Sequence, residues 1–332
     1  MRLPITPTLS AQPLGFGTWA WGNKVLWGYD EAQDAGLEAA FGRVTAADGP
    51  FFFDTGDSYG TGSLEGQAER LLGDFRGRSS SPERALIGTK LAVYPTRLTG
   101  ASFEAACRAS LGRMGRESIE LVQAHWSAAR FQPWQEPALL DGLARCYEAG
   151  LAQAVGTSNY GPSQLRLANE YWRERGVPHC TNQVQLSLLS TLPLESGLLD
   201  ACAELGVTPI GYSPLGLGLL SGRYTADADI ADQPLPRGPR GLLFRQILPG
   251  VRPLLATLEA VAAERNRTVS QVALNWCMSK GVLVIVGVRD AEQADAALGS
   301  LGWRLSDAEV DELDAASRKV TRKATQNIFQ TD

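Results

Sequence analysis

Along the chain, short apolar runs alternate with longer stretches in which apolar residues recur at helical spacing. The runs are LGFGTW (14–19), FFFD (51–54), ALIGTK (85–90), IELVQAH (119–125), AQAVGTSN (152–159), TNQVQ (181–185), VTPIGYS (207–213) and VLVIVG (282–287). Continuous apolar runs of this length predict strands buried on both faces. The intervening segments 31–44, 66–77, 99–115, 137–150, 162–176, 195–206 and 251–281, and the segment from 290 onward, predict helices. Strand-then-helix alternation calls for parallel strands joined by crossover helices. Eight such units in one chain fit a closed (β/α)8 TIM barrel, whose chemistry lies at the C-terminal face of the strands. An open doubly wound sheet is the alternative. No break in composition divides residues 1–332, which predicts a single domain. The Pro/Gly/Arg-rich segment 214–250 predicts a long loop after the seventh strand, and 303–332 a C-terminal helix and tail.

Composition narrows the field. Of 332 residues, 44% are hydrophobic, enough for a large core. The net charge of −5 argues against a nucleic-acid partner, which requires a basic face. Five cysteines, widely spaced and without a CxxC pair, predict reduced core thiols and not a disulfide framework or zinc site. The opening MRLPITPTLSAQP lacks an apolar signal core, and no uncharged apolar run is long enough to span a bilayer. The expectation is a cytoplasmic protein with no membrane partner.

With the strands placed, polar residues gather at one rim. Asp54 ends the second strand, Lys90 the third, His125 the fourth, and Ser158 with Asn159 the fifth. Gln183 lies on the sixth, and Tyr212 with Ser213 ends the seventh. Strand ends are polar in most proteins, so each alone has a structural explanation; their arrival on successive strands points to a site. Tyr59 follows Asp54 on a Gly-rich turn. Of the two histidines, His179 lies in a helix-to-strand connector and reads as structural, while His125 reads as a hydrogen-bond or proton partner. A lysine beside a tyrosine favours phenolate, so Lys90, held by Asp54, is expected to lower the Tyr59 pKa. Tyr59 and His125 together can polarise a carbonyl and protonate its oxygen. Side chains alone cannot reduce a carbonyl, which implies a nicotinamide hydride donor. LGLGLLSG (215–222) has the wrong spacing for a Rossmann fingerprint, but its N–H groups could meet a pyrophosphate.

These residues resemble the aldo-keto reductases nearly end to end. FDTGDSYG, GTK and QAHW carry Asp54, Tyr59, Lys90 and His125 at that family's four catalytic positions. The resemblance makes Tyr59 the general acid, Lys90 and Asp54 its tuning pair, and His125 the group that orients the carbonyl. It implies NADPH as cofactor. Gly17, Thr18, Trp19 and Asp54 would lie along it, and Ser158, Asn159 and Gln183 would hold the carboxamide. Tyr212 would stack on the nicotinamide. Ser213, Pro214, Leu215, Gly216, Gly218 and Arg223 would form the pyrophosphate belt, within a 214–250 loop covering the cofactor. Gly287, Arg289 and Gln293 would meet the adenosine end, with Arg289 placed for a 2′-phosphate. Ala296 and Ala297 depart from the Glu-Asn of many members, which removes adenine hydrogen bonds. The loop and tail segments GFGTWAWGNKVLWGYD, YPTRLTGASFEAACRASLGRM, GPRGLLFRQILPG and QNIFQT are similar to a branch that reduces pyridoxal. Trp19, Trp21 and Trp126, with Tyr59 and His125, would line a pocket for a flat aldehyde. A less selective aldehyde reductase, and a nicotinamide-binding regulatory subunit resembling the potassium-channel β subunits, are the other readings. The sequence does not fix an oligomeric state.

Overall fold

The computed structural model describes residues 2–227, 229, 232–236, 238–321 and 328–331. Parts of two expected segments, residues 228, 230, 231 and 237 of the 214–250 loop and 322–327 and 332 of the tail, lie outside the described residues.

Two short strands, β1 (Leu3–Pro4) and β2 (Ser10–Ala11), pair antiparallel. Eight parallel strands then close a barrel: β3 (Leu14–Gly17), β4 (Phe51–Asp54), β5 (Ala85–Leu91), β6 (Ile119–Ala124), β7 (Ala152–Ser158), β8 (His179–Gln185), β9 (Thr208–Tyr212) and β10 (Leu283–Gly287). β10 pairs with both β9 and β3, so no sheet edge remains in the barrel.

The two-residue period of a strand sorts each apolar run between two cores. Phe51 and Phe53 point out of the barrel, where their rings meet Phe16 and Phe41 under the helices. Phe52 points in and joins Leu86, Leu121, Ala154, Ile210, Leu283 and Ile285, with Ile5 and Ala11 of the hairpin region covering their N-terminal end. Phe52 needs the space that glycine leaves: a Cβ on Gly88 would lie 2.4 Å from its Cζ, and one on Gly15 would lie 2.7 Å from its carbonyl oxygen. The lower half of the barrel is therefore filled mainly with hydrocarbon.

The helix expected from 251 begins at Pro239 and runs to Glu264, so the second half of the expected 214–250 loop is helical. Pro249 and Pro253 read as helix breakers. Phe244, Ile247, Leu248, Val251, Leu254, Leu255 and Leu258 are nonetheless buried at helical spacing straight across both prolines, and that packing outweighs the two lost backbone bonds. After Val269–Ser279 and β10, the helix expected from 290 ends at Leu298, and a separate helix, Asp307–Arg318, starts at a Ser306/Glu309 capping box. Among the described residues no helix is long and apolar enough to cross a membrane.

Candidate active site

Strand periodicity carries the inner face upward from hydrocarbon to polar groups. On β4 the residue two beyond Phe52 is Asp54; on β5 the residue two beyond Gly88 is Lys90; on β6 Gln123 follows Leu121 in the same way. Register pairs Asp54 with Gly88, Lys90 with Gln123, and Ser158 with Gln183. The inner faces of four consecutive strands and of β8 thus deliver Asp54, Lys90, Gln123, Ser158 and Gln183 to one level.

Lys90 Nζ donates to Asp54 Oδ1 at 2.6 Å, to Asp54 Oδ2 at 2.7 Å and to the Thr55 carbonyl at 2.7 Å. Gln183 Nε2 donates to Asp54 Oδ1 at 2.7 Å. All three side chains are buried, so the carboxylate and ammonium exist as a matched pair whose hydrogen-bonding capacity is met within the protein.

Tyr59 reaches this pair from the loop after β4. That loop continues along β5 by Thr55 N–H to Gly88 O (2.9 Å) and Asp57 N–H to Lys90 O (3.0 Å), then turns by Tyr59 N–H to Gly56 O. The tyrosine ring lies on Gly56, whose Cβ would be 3.2 Å from it. Gly60 closes the turn at φ 129°, where a Cβ would fall 1.8 Å from Leu64 O, so only glycine fits. Lys90 Nζ stands 4.8 Å from the Tyr59 ring centroid, and the His125 ring 5.7 Å from it. His125 Nδ1 is 3.3 Å from Ser58 Oγ. The structure therefore brings Asp54, Tyr59, Lys90 and His125 together, as the sequence predicts.

The ionisation of Tyr59 corrects the sequence expectation. Its pKa is raised well above the ordinary phenol value, by burial first and then by Asp54, Tyr212 and Asp57. Lys90 does not make the phenol acidic because Asp54 accepts from it through both oxygens, leaving a nearly neutral pair next to a desolvated hydroxyl. Burial, opposed by Asp54, also lowers the Lys90 pKa. His125 is held well below its usual value by burial and then by Lys90, so its imidazole is neutral at pH 7. Tyr59 and His125 remain partly exposed. The site thus carries a protonated phenol and a neutral imidazole side by side at the barrel rim.

The other expected site residues divide into two sets. Asn159, at φ 61°, donates through Nδ2 to His125 O (3.1 Å) and Ser158 Oγ (3.2 Å) and accepts from Tyr212 Oη (2.8 Å), which joins the ends of β6, β7 and β9. After β9, Ser213 and Leu217 hold φ of 54° and 58°, and Pro214, Leu215, Gly216 and Gly218 complete a tight turn on the same rim. Gly17 ends β3, and Thr18 bonds Asp54 O through both its N–H and its hydroxyl. Gly287 ends β10; Arg289 N–H donates to Gln293 Oε1, and Gln293 Nε2 donates to Asp290 Oδ2. Arg223 is exposed on the β9 side. Trp19 lies at the rim, edge-on to Trp27 with centroids 5.8 Å apart, and Trp126 lies against His125 at 4.8 Å. Trp21 is a correction: only 1% exposed, its indole donates to Val288 O and packs on Phe75, so it belongs to the core and not to an exposed rim.

Several residues escaped the sequence reading. Asp57, a simple turn residue by sequence, accepts from Ala92 N–H (3.0 Å) and from Arg97 Nη1 (2.6 Å), tying the Tyr59 loop to the segment after β5. Ser58 faces His125, and Gln123, within an apolar run, accepts from Thr181 Oγ1 at 3.3 Å. Phe329 of the tail stacks on Trp126 at 4.6 Å, while Thr331 N–H donates to Asn159 O. Arg240 borders a cavity of about 130 Å³ with Trp19, Leu26, Trp27, Leu217 and Leu243. Only the pairing of Asp57 with a nearby arginine had a signal, a carboxylate two residues before the candidate acid. Among the described residues no three His, Cys, Asp or Glu side chains gather where a metal could be held.

Residues 13–318 match the model of the Aldo/keto reductase family. The chain belongs to that family. This aldo/keto reductase is 48% identical over 327 residues to the chloroplastic pyridoxal reductase of Arabidopsis thaliana, covering 97% of the chain and 88% of the relative. It is 30% identical over 278 residues to the L-glyceraldehyde 3-phosphate reductase of Escherichia coli K12, covering 80% and 77%. Its fold superposes with a TM-score of 0.72 on a thermostable aldo-keto reductase crystallised with the inhibitor epalrestat, at 22% identity over 95% and 99% of the two chains. The barrel is that family's fold, and the chain is an oxidoreductase.

Proposed function

We propose that this oxidoreductase reduces an aldehyde to a primary alcohol with NADPH, and that the aldehyde is pyridoxal. The observation that carries the reaction is the convergence of Tyr59, Lys90, Asp54 and His125 at the barrel rim. The pyridoxal assignment rests on the 48% identity to a pyridoxal reductase across nearly the whole chain.

The residues present fit a dinucleotide. Arg240 Nε is buried without an acceptor beside the 130 Å³ cavity, on the arc of rim shared by Trp19 and the glycine turn after β9. Ser158, Asn159, Gln183 and Tyr212 would hold the nicotinamide end, the 213–218 turn and Arg223 the pyrophosphate, and Arg289 the adenosine phosphate. When bound, the cofactor supplies the hydride that the side chains cannot.

The chain supplies the proton. Tyr59 Oη stands ready with hydrogen attached, because burial and the neighbouring carboxylates oppose its ionisation. The Lys90–Asp54 pair fixes the charge beneath the ring, and neutral His125 can donate one hydrogen bond to the substrate oxygen without adding charge. As a carbonyl becomes alkoxide its basicity approaches that of hydroxide, far above that of a phenolate. Even a phenol with a raised pKa can then transfer its proton downhill. Trp126 and Phe329, with rings stacked at a 20° tilt, offer a flat wall beside His125 that suits an aromatic aldehyde.

NADPH consumption with a panel of aldehydes tests this reading. Pyridoxal is expected to exceed small aliphatic aldehydes in kcat/KM by about ten-fold or more, since fully burying a ring contributes roughly 1.5–3 kcal/mol. The reverse order would favour a broad-specificity reductase, and no NADPH consumption with any aldehyde would contradict the reading altogether.

A further inference from the structure

We propose that Glu136 is a positioning residue of the reductase site: its single carboxylate clasps the loop that carries His125 and Trp126 to the loop that carries Asn159. The proposal rests on the cofactor and substrate reading above and adds a residue that acts through those already placed there.

Glu136 opens the helix Glu136–Glu148, where the helix dipole favours a carboxylate. One oxygen, Oε2, accepts from Ser127 Oγ at 3.0 Å and from the Ala128 N–H at 2.6 Å. The other, Oε1, accepts from Tyr160 Oη at 2.7 Å. Ser127 and Ala128 directly follow Trp126, and Tyr160 directly follows Asn159. One side chain therefore holds the chain just past the ends of both β6 and β7. The same two loops meet a second time where Asn159 Nδ2 donates to His125 O at 3.1 Å.

Asn159 needs that support. Its φ of 61° lies in the left-handed region, which costs a non-glycine residue energy and persists where the surroundings fix it. Tyr160 does the fixing: it is wholly buried, its hydroxyl donates to Glu136, and its carbonyl accepts from Asn182 Nδ2 at 2.9 Å. On the other loop, Ser127 Oγ also accepts from the Ala129 N–H at 3.1 Å, which sets the turn after Trp126.

The charge pattern sets Glu136 apart. Among the described residues, the buried carboxylates Asp54, Asp57, Glu69 and Glu120 each face a cation, respectively Lys90, Arg97, Arg113 and Arg116. Glu136 forms no such pair among the described residues and is held by neutral donors. Burial raises its pKa, and the bonds from Tyr160, Ser127 and Ala128 oppose that rise. A carboxylate desolvated without a counter-ion is a costly way to join two loops for stability alone. What it adds is geometry, because three donors converge on two oxygens from fixed directions.

The test is steady-state reduction of pyridoxal by NADPH, with urea unfolding alongside, for wild type, Glu136→Ala, Glu136→Gln, Ser127→Ala and Tyr160→Phe. A purely structural defect lowers the fraction of active enzyme, so it lowers kcat and leaves both KM values alone. Loss of the clasp in Glu136→Ala is expected to raise the KM for both pyridoxal and NADPH by about three- to ten-fold, the scale of a lost hydrogen bond. Tyr160→Phe should raise the NADPH KM more than the pyridoxal KM, and Ser127→Ala the reverse, because each frees one loop. Glu136→Gln keeps an acceptor for Ala128 while the two hydroxyls turn to suit, and should recover most of the loss. Unchanged KM values for both ligands in Glu136→Ala would overturn the assignment, whatever happens to kcat. If that variant does not fold, Tyr160→Phe and Ser127→Ala decide, and unchanged KM values in both would overturn it equally. If wild type consumes no NADPH with any aldehyde, the reading above falls and this assignment with it, a result distinct from an active wild type whose KM values the substitutions leave intact.

Discussion

The reactive tyrosine is placed by its loop more than by its own contacts. Asp57, two residues before Tyr59, is 4% exposed and accepts from Ala92 N–H and Arg97 Nη1, while Arg97 also donates to Ala92 O. Burial raises the Asp57 pKa and Arg97 opposes that shift, so the carboxylate remains in place only with its partner. Gln135 Nε2 in turn donates to the Tyr94 and Arg97 carbonyls, which fixes the segment carrying the arginine. Asp57→Asn keeps an acceptor for Ala92 but leaves Arg97 without an anion. The expected result is a kcat lower by roughly ten- to a hundred-fold, because a misplaced acid loses much of its effect, with little change in dinucleotide affinity. A kcat equal to wild type would show that this pair does not set the position of Tyr59. The four central residues were legible in the sequence because each ends a strand or follows one. The sign of the Tyr59 shift was not: it depends on Asp54 engaging Lys90 through both oxygens, a geometry no spacing reveals.

At the scale of elements, the barrel depends on complementary sizes across neighbouring strands. Phe52 of β4 fills the centre, and the facing Gly88 of β5 makes room for it; Leu121 Cδ2 also lies 3.4 Å from the Cβ position of Gly88. Gly88→Ala is expected to destabilise the fold by about 1–3 kcal/mol through overpacking. Combining it with Phe52→Leu should cost less than the sum of the two single changes, with a coupling of about 0.5–3 kcal/mol in urea unfolding. Simple additivity would show that the two residues do not share the space. All eight barrel strands were legible because strands buried on both faces read as continuous apolar runs, and their ends shifted by only a few residues. The start of the helix at Pro239 was not, because its prolines carry a local signal opposite to the buried stripe that Phe244, Ile247, Leu248 and Val251 form. Trp21 was misread for a related reason: an aromatic-rich loop gives no sign of which ring turns inward.

For the molecule as a whole, pH acts through the second histidine as well as through the site. His179 lies against Trp172, with Nε2 3.2 Å from Thr157 Oγ1, and burial lowers its pKa to about 3. In the unfolded chain a histidine titrates near 6.5, so below that pH the unfolded state takes up a proton that the folded state refuses. This contribution to stability is fully present above pH 6.5 and is lost as pH falls toward 3, by about 1.4 kcal/mol per unit. His179→Gln removes the proton uptake. The wild-type advantage over this variant, measured by denaturant unfolding at pH 7.5 and 5.5, should therefore shrink by roughly 1.4 kcal/mol, and a constant difference would contradict the assignment. The central claim is that Tyr59 is the proton source for an aldehyde reduced at this rim. The most direct measurement is single-turnover reduction of pyridoxal by Tyr59→Phe saturated with NADPH, with cofactor affinity measured alongside. The account predicts wild-type affinity for NADPH and a rate lower by about a hundred- to ten-thousand-fold; a rate within a few-fold of wild type would contradict it.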